Sequence, residues 1–378
     1  MTWVAWRQFR TQAVVTLGLL AAFAAFVLVT GLHFHNVYNS LGGANCNAHN
    51  DCFDLTRSET ALQAVLGPAL LAIPALLGMF WGAPLLAREL ESGTDRLAWT
   101  QSITRRRWLS VRLVLIGVAA LAVAGLSSWL VSWWFAPLDA VNVNRFAPSV
   151  FTARGVVAVG YTGFAFALGV AAGGLTRRTL PAMVVTLIGF IAARIGFTLW
   201  VRPHLLASRH VLVSLTAGKG VGFVSTPSGV SLAPGSPPIA NAWMVSAALV
   251  TRAHHVVGTA QLHHLLVSTC PTITDGSGAY KGPTAGASRC LLTLSHQVQQ
   301  LVTYQPPGHY WPLQALETGV FLAAALALIG ATLWRVGRRS ARRPAVGESR
   351  QPSAEPFALE VAPEISGAPV RLPERNRR

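Results

Sequence analysis

The chain alternates between six long apolar runs and shorter polar stretches. The runs cover residues 14–32, 61–86, 113–135, 156–175, 180–201 and 313–334. A helix needs roughly 20 apolar residues to cross the ~30 Å hydrocarbon core of a bilayer, and each run is about that long. The pattern therefore predicts an all-α polytopic membrane protein with six transmembrane helices.

The polar stretches predict the remaining domains. Residues 13–201 hold helices one to five, with an inner loop at 87–110, and helix six covers 312–335. The large stretch 202–311 is expected to be extracellular, with helical patches at residues 240–250 and 291–302. The tail 336–378 is rich in Pro, Glu, Arg and Ser without apolar periodicity, which predicts disorder.

The first twelve residues place Trp3 and Trp6 three positions apart, followed by Arg7 and Arg10. This pattern suits a short helix lying along the inner membrane interface. It suits an ordinary interfacial belt before the first helix equally well. We describe residues 1–12 as an interfacial N-terminal helix and leave the two alternatives open.

Arginine positions predict the orientation in the membrane. Lys and Arg total 30 against 14 Asp and Glu, a net charge of +16. Most arginines near the helices lie on one side: Arg7, Arg10, Arg88, Arg96, Arg105, Arg106, Arg107, Arg112, Arg177, Arg178, Arg335, Arg338, Arg339, Arg342 and Arg343. Because short cytoplasmic loops collect Lys and Arg, both termini are expected in the cytoplasm. The basic charge then reflects topology and contact with anionic lipid, and does not indicate a nucleic-acid ligand.

All four cysteines fall on the predicted outer side, where disulfides persist. They are Cys46, Cys52, Cys270 and Cys290. Four cysteines allow three pairings. The simplest is local, Cys46 with Cys52 and Cys270 with Cys290.

Two histidine pairs lie in the same outer stretch, at His254-His255 and His263-His264. Metal ligands can cluster in this way, but the spacing matches no recognised zinc site. Surface histidines are the better interpretation, and no metal is expected.

The sequence contains no GxxxxGK[ST] phosphate loop, no GxSxG and no HExxH motif. The acidic residues lie outside the centres of the apolar runs, and Glu317 comes nearest, four residues into the last run. Proton-coupled transport needs buried relays, so this distribution argues against it. Arg194 is the one charge well inside a run. It either extends towards the outer interface and Glu317 or has a role in a substrate path or gate.

The fourth run carries Ala165, Gly169 and Gly173 at intervals of four residues. Small residues with this spacing allow another helix to approach closely. Packing within the chain is the favoured interpretation, and a dimer contact or conduit wall is the alternative.

Three motifs carry a family resemblance. The first is the inner loop, RELESGTDRLAWTQSITRRRW at residues 88–108; the others are GGLTRRTLPAM at 173–183 and the stretch from Tyr304-Gln305-Pro306 to Tyr310-Trp311-Pro312. Together they resemble permease subunits of type-two ABC exporters from actinobacteria. The resemblance implies a bacterial plasma-membrane subunit that pairs with a second permease copy, identical or not, and with separate ATPase subunits that bind ATP and Mg. It also implies a coupling helix in the inner loop, to which it assigns Glu89, Thr94, Arg96, Trp99, Gln101 and Arg106.

The sequence therefore favours the permease subunit of an ATP-driven exporter, without an enzymatic activity of its own. A membrane sensor with a disulfide-linked outer ligand-binding segment is the alternative. A membrane-embedded enzyme that uses the outer histidines is a third. Association with an ATPase separates the first hypothesis from the others.

Overall fold

The computed structural model describes residues 2–40, 71–92, 105–140, 145–215, 222–226, 229–233, 241–269 and 286–341. Six helices in these ranges are long and apolar enough to cross a membrane. They are Val14–Ser40, Leu71–Glu91, Leu109–Trp134, Val157–Thr176, Thr179–His204 and Pro307–Val336. The prediction of six transmembrane helices is confirmed, and we number these spans one to six. Their orientation across the membrane stays a prediction.

Ten α-helices build the described structure. They are α1 (Thr2–Ser40), α2 (Ala83–Ser92), α3 (Arg105–Trp134), α4 (Ala136–Ala140), α5 (Pro148–Ala153), α6 (Val157–Thr176), α7 (Thr179–Gly196), α8 (Thr259–Thr269), α9 (Gly286–Ser295) and α10 (Tyr310–Ala341). A π-helical turn, Gly78–Gly82, precedes α2 within the second span. A second π-helical turn, Phe197–Val201, and a 3-10 turn, Arg202–His204, continue α7.

The fourth span is the most buried of the six. Its helix α6 packs against α2, α3, α7 and the π-helical turn of the second span. A Cβ atom added at Gly169 would lie 2.4 Å from the carbonyl oxygen of Gly78, and one at Gly173 would lie 2.6 Å from that of Ala83. The small residues of the fourth span therefore make an intramolecular contact with the second span, as favoured from the sequence.

Helix α1 is continuous from Thr2 to Ser40. Residues 2–12 thus join the first span without a break, and their position relative to a membrane interface stays a prediction. The first span is the least buried of the six. It packs mainly along α3, where Trp134 Nε1 donates a hydrogen bond of 3.0 Å to Thr30 Oγ1.

The described part of the segment between spans five and six contains five strands. They are β1 (Arg209–Ser214), β2 (Gly222–Thr226), β3 (Gly229–Ala233), β4 (Trp243–Thr251) and β5 (Val298–Gln305). An antiparallel sheet has the order β1-β5-β4, with Arg209 opposite Tyr304 and Thr251 opposite Val298, while β2 and β3 form a hairpin. Helices α8 and α9 share a core with this sheet through Leu266, Leu294 and Val298.

Two helical predictions in this segment are wrong. Residues 243–250 of the patch 240–250 belong to strand β4, and the patch 291–302 divides between α9 and β5. The cause is the length of these runs, since the periodicity of a short apolar run does not separate a buried strand from a helix. Strand β5 pairs with a strand on each side, and Val298, Gln300, Val302 and Tyr304 are buried at every second position.

Candidate functional site

Polar side chains gather at both ends of the helix bundle. We call the end at Arg202, where residues 205–306 depart, the distal end, and the end at Glu91 the proximal end. The predicted topology makes the distal end the outer one.

The sixth span contains a carboxylate that is completely buried at the distal end, that of Glu317. Arg202 binds it with two nitrogens, Nε at 2.9 Å from Oε2 and Nη2 at 2.8 Å from Oε1. The hydroxyl of Tyr161 donates a hydrogen bond to Oε1. Arg202 Nη2 lies 3.1 Å from that hydroxyl oxygen. One residue each from spans four, five and six therefore meets at this carboxylate.

This geometry satisfies the conditions for burying charge. An ionised group in an apolar interior is strongly disfavoured unless it is paired and hydrogen-bonded. The two-pronged contact of a guanidinium with a carboxylate provides both, and Arg202 also lies over the Phe151 ring, 4.5 Å from its centroid. Glu317 and Arg202 thus cancel each other's charge, and each position depends on the other.

Arg194 lies beside this pair without joining it. Its guanidinium carbon lies 3.9 Å from the centroid of the Tyr161 ring, a cation–π contact. Its Nε is buried and has no hydrogen-bond partner within the described part of the chain. Arg194 therefore interacts electrostatically with Glu317 without pairing with it, because Arg202 occupies both carboxylate oxygens. A role of Arg194 in a substrate path or gate stays a prediction.

A buried amide in the sixth span fixes the connection that leads into the fourth span. Gln314 Nε2 donates to the carbonyl oxygens of Phe151 and Arg154 at 2.9 and 3.2 Å, and Gln314 Oε1 accepts from Val157 N at 3.0 Å. Gly155 adopts φ +76, and an added Cβ there would lie 2.7 Å from Gln314 Oε1. The backbone at α5–α6 and the start of span six are thereby held together.

A second ion pair extends the polar region towards α4. Arg154 Nη2 lies 2.8 Å from Asp139 Oδ1, and Arg145 Nε lies 3.4 Å from Asp139 Oδ2. Gln314 connects this ion pair to the pair of Arg202 and Glu317. It binds the backbone of Arg154, and it precedes Glu317 by three residues in the chain. We call the six charged residues the distal cluster: Asp139, Arg145, Arg154, Arg194, Arg202 and Glu317. Four arginines against two carboxylates leave the distal cluster with two positive charges in excess.

Carboxylates also organise the proximal end. Glu89 forms an ion pair with Arg112 at the start of the third span. Glu91 accepts hydrogen bonds from the backbone N and the hydroxyl of Thr179, at 3.0 and 2.7 Å. Thr179 is the first residue of α7, where an acidic side chain is favoured by the unpaired N–H groups and by the helix dipole. The end of span two is thus tied to the starts of spans three and five.

The predicted coupling residues are placed only in part. Thr94, Arg96, Trp99 and Gln101 lie outside the described residues, and Arg106 lies in the first turn of α3 without a described side chain. Glu89 is described, and it binds Arg112 within this chain. The assignment of these six residues to a coupling helix stays a prediction.

A cavity of about 660 Å³ lies between spans one, two and three. Leu20, Phe23, Leu77 and Val123 are among its apolar lining residues, and Thr16 and Ser127 add hydroxyl groups. Trp81 Nε1 donates a hydrogen bond of 3.2 Å to Thr16 Oγ1 across it. The chemistry of this lining suits an alkyl chain, and it offers no charge to a polar ligand.

The cysteines and the two histidine pairs of the predicted outer side are placed only in part. Of the four cysteines only Cys290 is described, buried in the core of α8 and α9. Cys46, Cys52 and Cys270 lie outside the described residues, so the pairings Cys46–Cys52 and Cys270–Cys290 stay predictions. His254, His255 and His264 are exposed. Among the described residues no group of three His, Cys, Asp or Glu side chains could hold a metal ion.

Sequence reasoning missed Tyr161, Arg202 and Gln314. A signal existed in the spacing of Gln314 and Glu317, because polar residues three apart in an apolar helix share one face and need a polar partner there.

Comparison with known proteins identifies one family. The model of the family described as ABC-2 membrane transporter related matches residues 17–202, from the first span to the arginine that binds Glu317. No curated protein and no solved structure matches the chain. Residues 17–202, the family domain, are therefore an ABC-2 membrane transporter related domain that covers the first five spans, and the chain is a multi-pass plasma-membrane protein.

Proposed function

We propose that this chain is the membrane-spanning permease subunit of an ATP-binding cassette exporter. It would move a substrate across the plasma membrane with ATP hydrolysed by a separate ATPase subunit. The observation that carries the proposal is the family match, which covers the first five spans and the loop between spans two and three. The sequence contains no phosphate-binding loop, in agreement with a division of labour between permease and ATPase.

The proximal contacts support a mechanical role for that loop. A force applied to residues 93–104 reaches span three through Glu89 and Arg112, and span five through Glu91 and Thr179. Arg202, in the last turn of span five, binds span six through Glu317. Displacement at the proximal end can therefore reach the distal end along one packed helix, with no covalent chemistry in this chain.

Trp99, Arg96 and Arg106 are the proposed contacts with the ATPase. Trp and Arg are enriched among the few residues that supply most of the binding energy of an interface. A charged loop without a partner would contribute little to any activity. A loop that binds an ATPase should therefore lose activity when these side chains are removed, whereas a loop without a partner should not.

The test coexpresses the permease with ABC ATPases of its source organism, one at a time, and measures copurification and ATP hydrolysis in proteoliposomes. We expect one of them to copurify, and Trp99→Ala with Arg96→Ala to abolish permease-stimulated hydrolysis while membrane insertion is kept. Trp311→Ala with Arg209→Ala is the matched control, because it removes the same side-chain types at the distal end. Full stimulation by the loop double variant would refute the coupling assignment. Failure of every ATPase to copurify would favour the sensor hypothesis.

A further inference from the structure

Among the described residues, the distal cluster carries two more positive than negative charges, and it lies next to the exposed face of span five. Glu317 is fully used by Arg202 and Tyr161, and no carboxylate lies within ion-pair distance of Arg194 among the described residues. The guanidinium of Arg194 contacts the Tyr161 ring and keeps its Nε unpaired there. An arginine in apolar surroundings without a counter-ion is unfavourable, so this site calls for an anion.

The depth of the site suits an anion at the edge of the bilayer. Tyr161 lies four residues after the distal start of α6, which is about 6 Å along the helix axis. Trp200, on the same helix as Arg194, is 74% exposed near the distal end of span five. Exposed Trp rings are typical of the headgroup level of a membrane. The guanidinium of Arg194 therefore lies close beneath the headgroup layer.

The surface next to Arg194 suits an acyl chain. Val184, Ile188, Ile191 and Ile195 are exposed at intervals of three and four residues, which places them on one stripe of span five that runs from the level of Arg194 towards the proximal end. The stripe is about 16 Å long, close to half of the ~30 Å hydrocarbon core. One acyl chain of a single leaflet would cover it.

We propose that Arg194 and the exposed stripe of span five form a binding site for an anionic phospholipid. The phosphate would bind the guanidinium of Arg194, and an acyl chain would lie along Val184, Ile188, Ile191 and Ile195. A second permease copy fits this face less well, because a twofold contact centred here would bring the two Arg194 side chains together. The inference goes beyond the proposed transport function and does not depend on the ATPase.

The test uses the full-length permease in neutral detergent and titrates it with phosphatidylglycerol, phosphatidylcholine or inorganic phosphate while the melting temperature is recorded. We expect stabilisation by phosphatidylglycerol at lower concentration than by phosphatidylcholine, and none by inorganic phosphate alone. Arg194→Gln should weaken the apparent affinity for phosphatidylglycerol by at least about 10-fold, the loss of one charge-assisted hydrogen bond. Arg209→Gln, which removes a positive charge from an exposed position at the same end, should leave the affinity unchanged.

A second pair of variants keeps the test independent of the folding of Arg194→Gln. Thr198→Asp places a carboxylate one turn from Arg194 and should abolish the preference for phosphatidylglycerol, because the site then contains its own anion. Thr198→Asn, the matched neutral variant, should keep it. Equal affinities in Arg194→Gln and the wild type would overturn the proposal, as would equal stabilisation by inorganic phosphate or by phosphatidylcholine. If the permease dimer no longer shows the stabilisation by phosphatidylglycerol that the monomer shows, the proposal would be overturned and this face assigned to a second copy. None of these results bears on ATPase copurification, so the two proposals fail separately.

Discussion

Glu317 shows how one side chain can define a site in a membrane protein. A carboxylate inside an apolar helix needs a cation, and the sequence offers Arg194 and Arg202 on the fifth span. The structure selects Arg202, which lies 115 residues before Glu317 in the chain and binds it with both prongs of its guanidinium. The sequence identifies the need for a partner, but helix packing decides which arginine is within reach.

Removing one member of the pair Glu317 and Arg202 is expected to lower the free energy of unfolding more than removing both. Glu317→Leu leaves the Arg202 charge buried and unpaired, which we expect to lower the free energy of unfolding by roughly 3–5 kcal/mol. The double variant Glu317→Leu with Arg202→Met replaces the pair by apolar side chains and should recover much of that loss. Denaturant unfolding in detergent, followed through the full double-mutant cycle, measures the difference. Additive losses in the double variant would contradict the pairing.

At the scale of elements, the hydrophobic pattern predicts where the helices lie better than it predicts which elements pack against them. The small residues Ala165, Gly169 and Gly173 correctly indicate a contact face on span four, since only a close approach of another helix makes such a face useful. The pattern does not indicate that span two, with its π-helical turn, fills that face. In the segment 205–306 the same pattern misassigns strand β4, because β pairing between distant segments leaves no local mark on a short apolar run.

The contact between spans two and four gives a matched pair of glycine substitutions. Gly169→Ala would place a methyl group 2.4 Å from the backbone oxygen of Gly78, and we expect overpacking to lower the free energy of unfolding by about 1–3 kcal/mol. Gly330→Ala on α10 meets no atom within 4 Å and should be neutral or stabilising by up to about 1 kcal/mol through helix propensity. Melting temperatures of the two purified variants test this directly. Equal melting temperatures would show that spans two and four are further apart than described.

At the scale of the whole molecule, the family domain does not include span six, although span six contributes Glu317 to the distal cluster. The match stops at Arg202, whereas Gln314 and Glu317 lie beyond it. Span six is nevertheless bound to the family domain, through Arg202 to Glu317 and through Gln314 to the backbone before α6. Sequence comparison and packing therefore describe different units, and the buried polar contacts connect them.

The last prediction concerns which end of this unit faces the cytoplasm. The proximal end carries most of the arginines near the spans, so the positive-inside rule predicts that it lies in the cytoplasm, where the proposed ATPase would have access to residues 93–104. Single cysteines at Ser102 and at Arg252 in a variant without native cysteines test this with a membrane-impermeant thiol reagent. Arg252→Cys, at an exposed position of the segment 205–306, should react in intact cells. Ser102→Cys should react only after permeabilisation, and its labelling in intact cells would reverse the topology and separate the loop from any cytoplasmic ATPase.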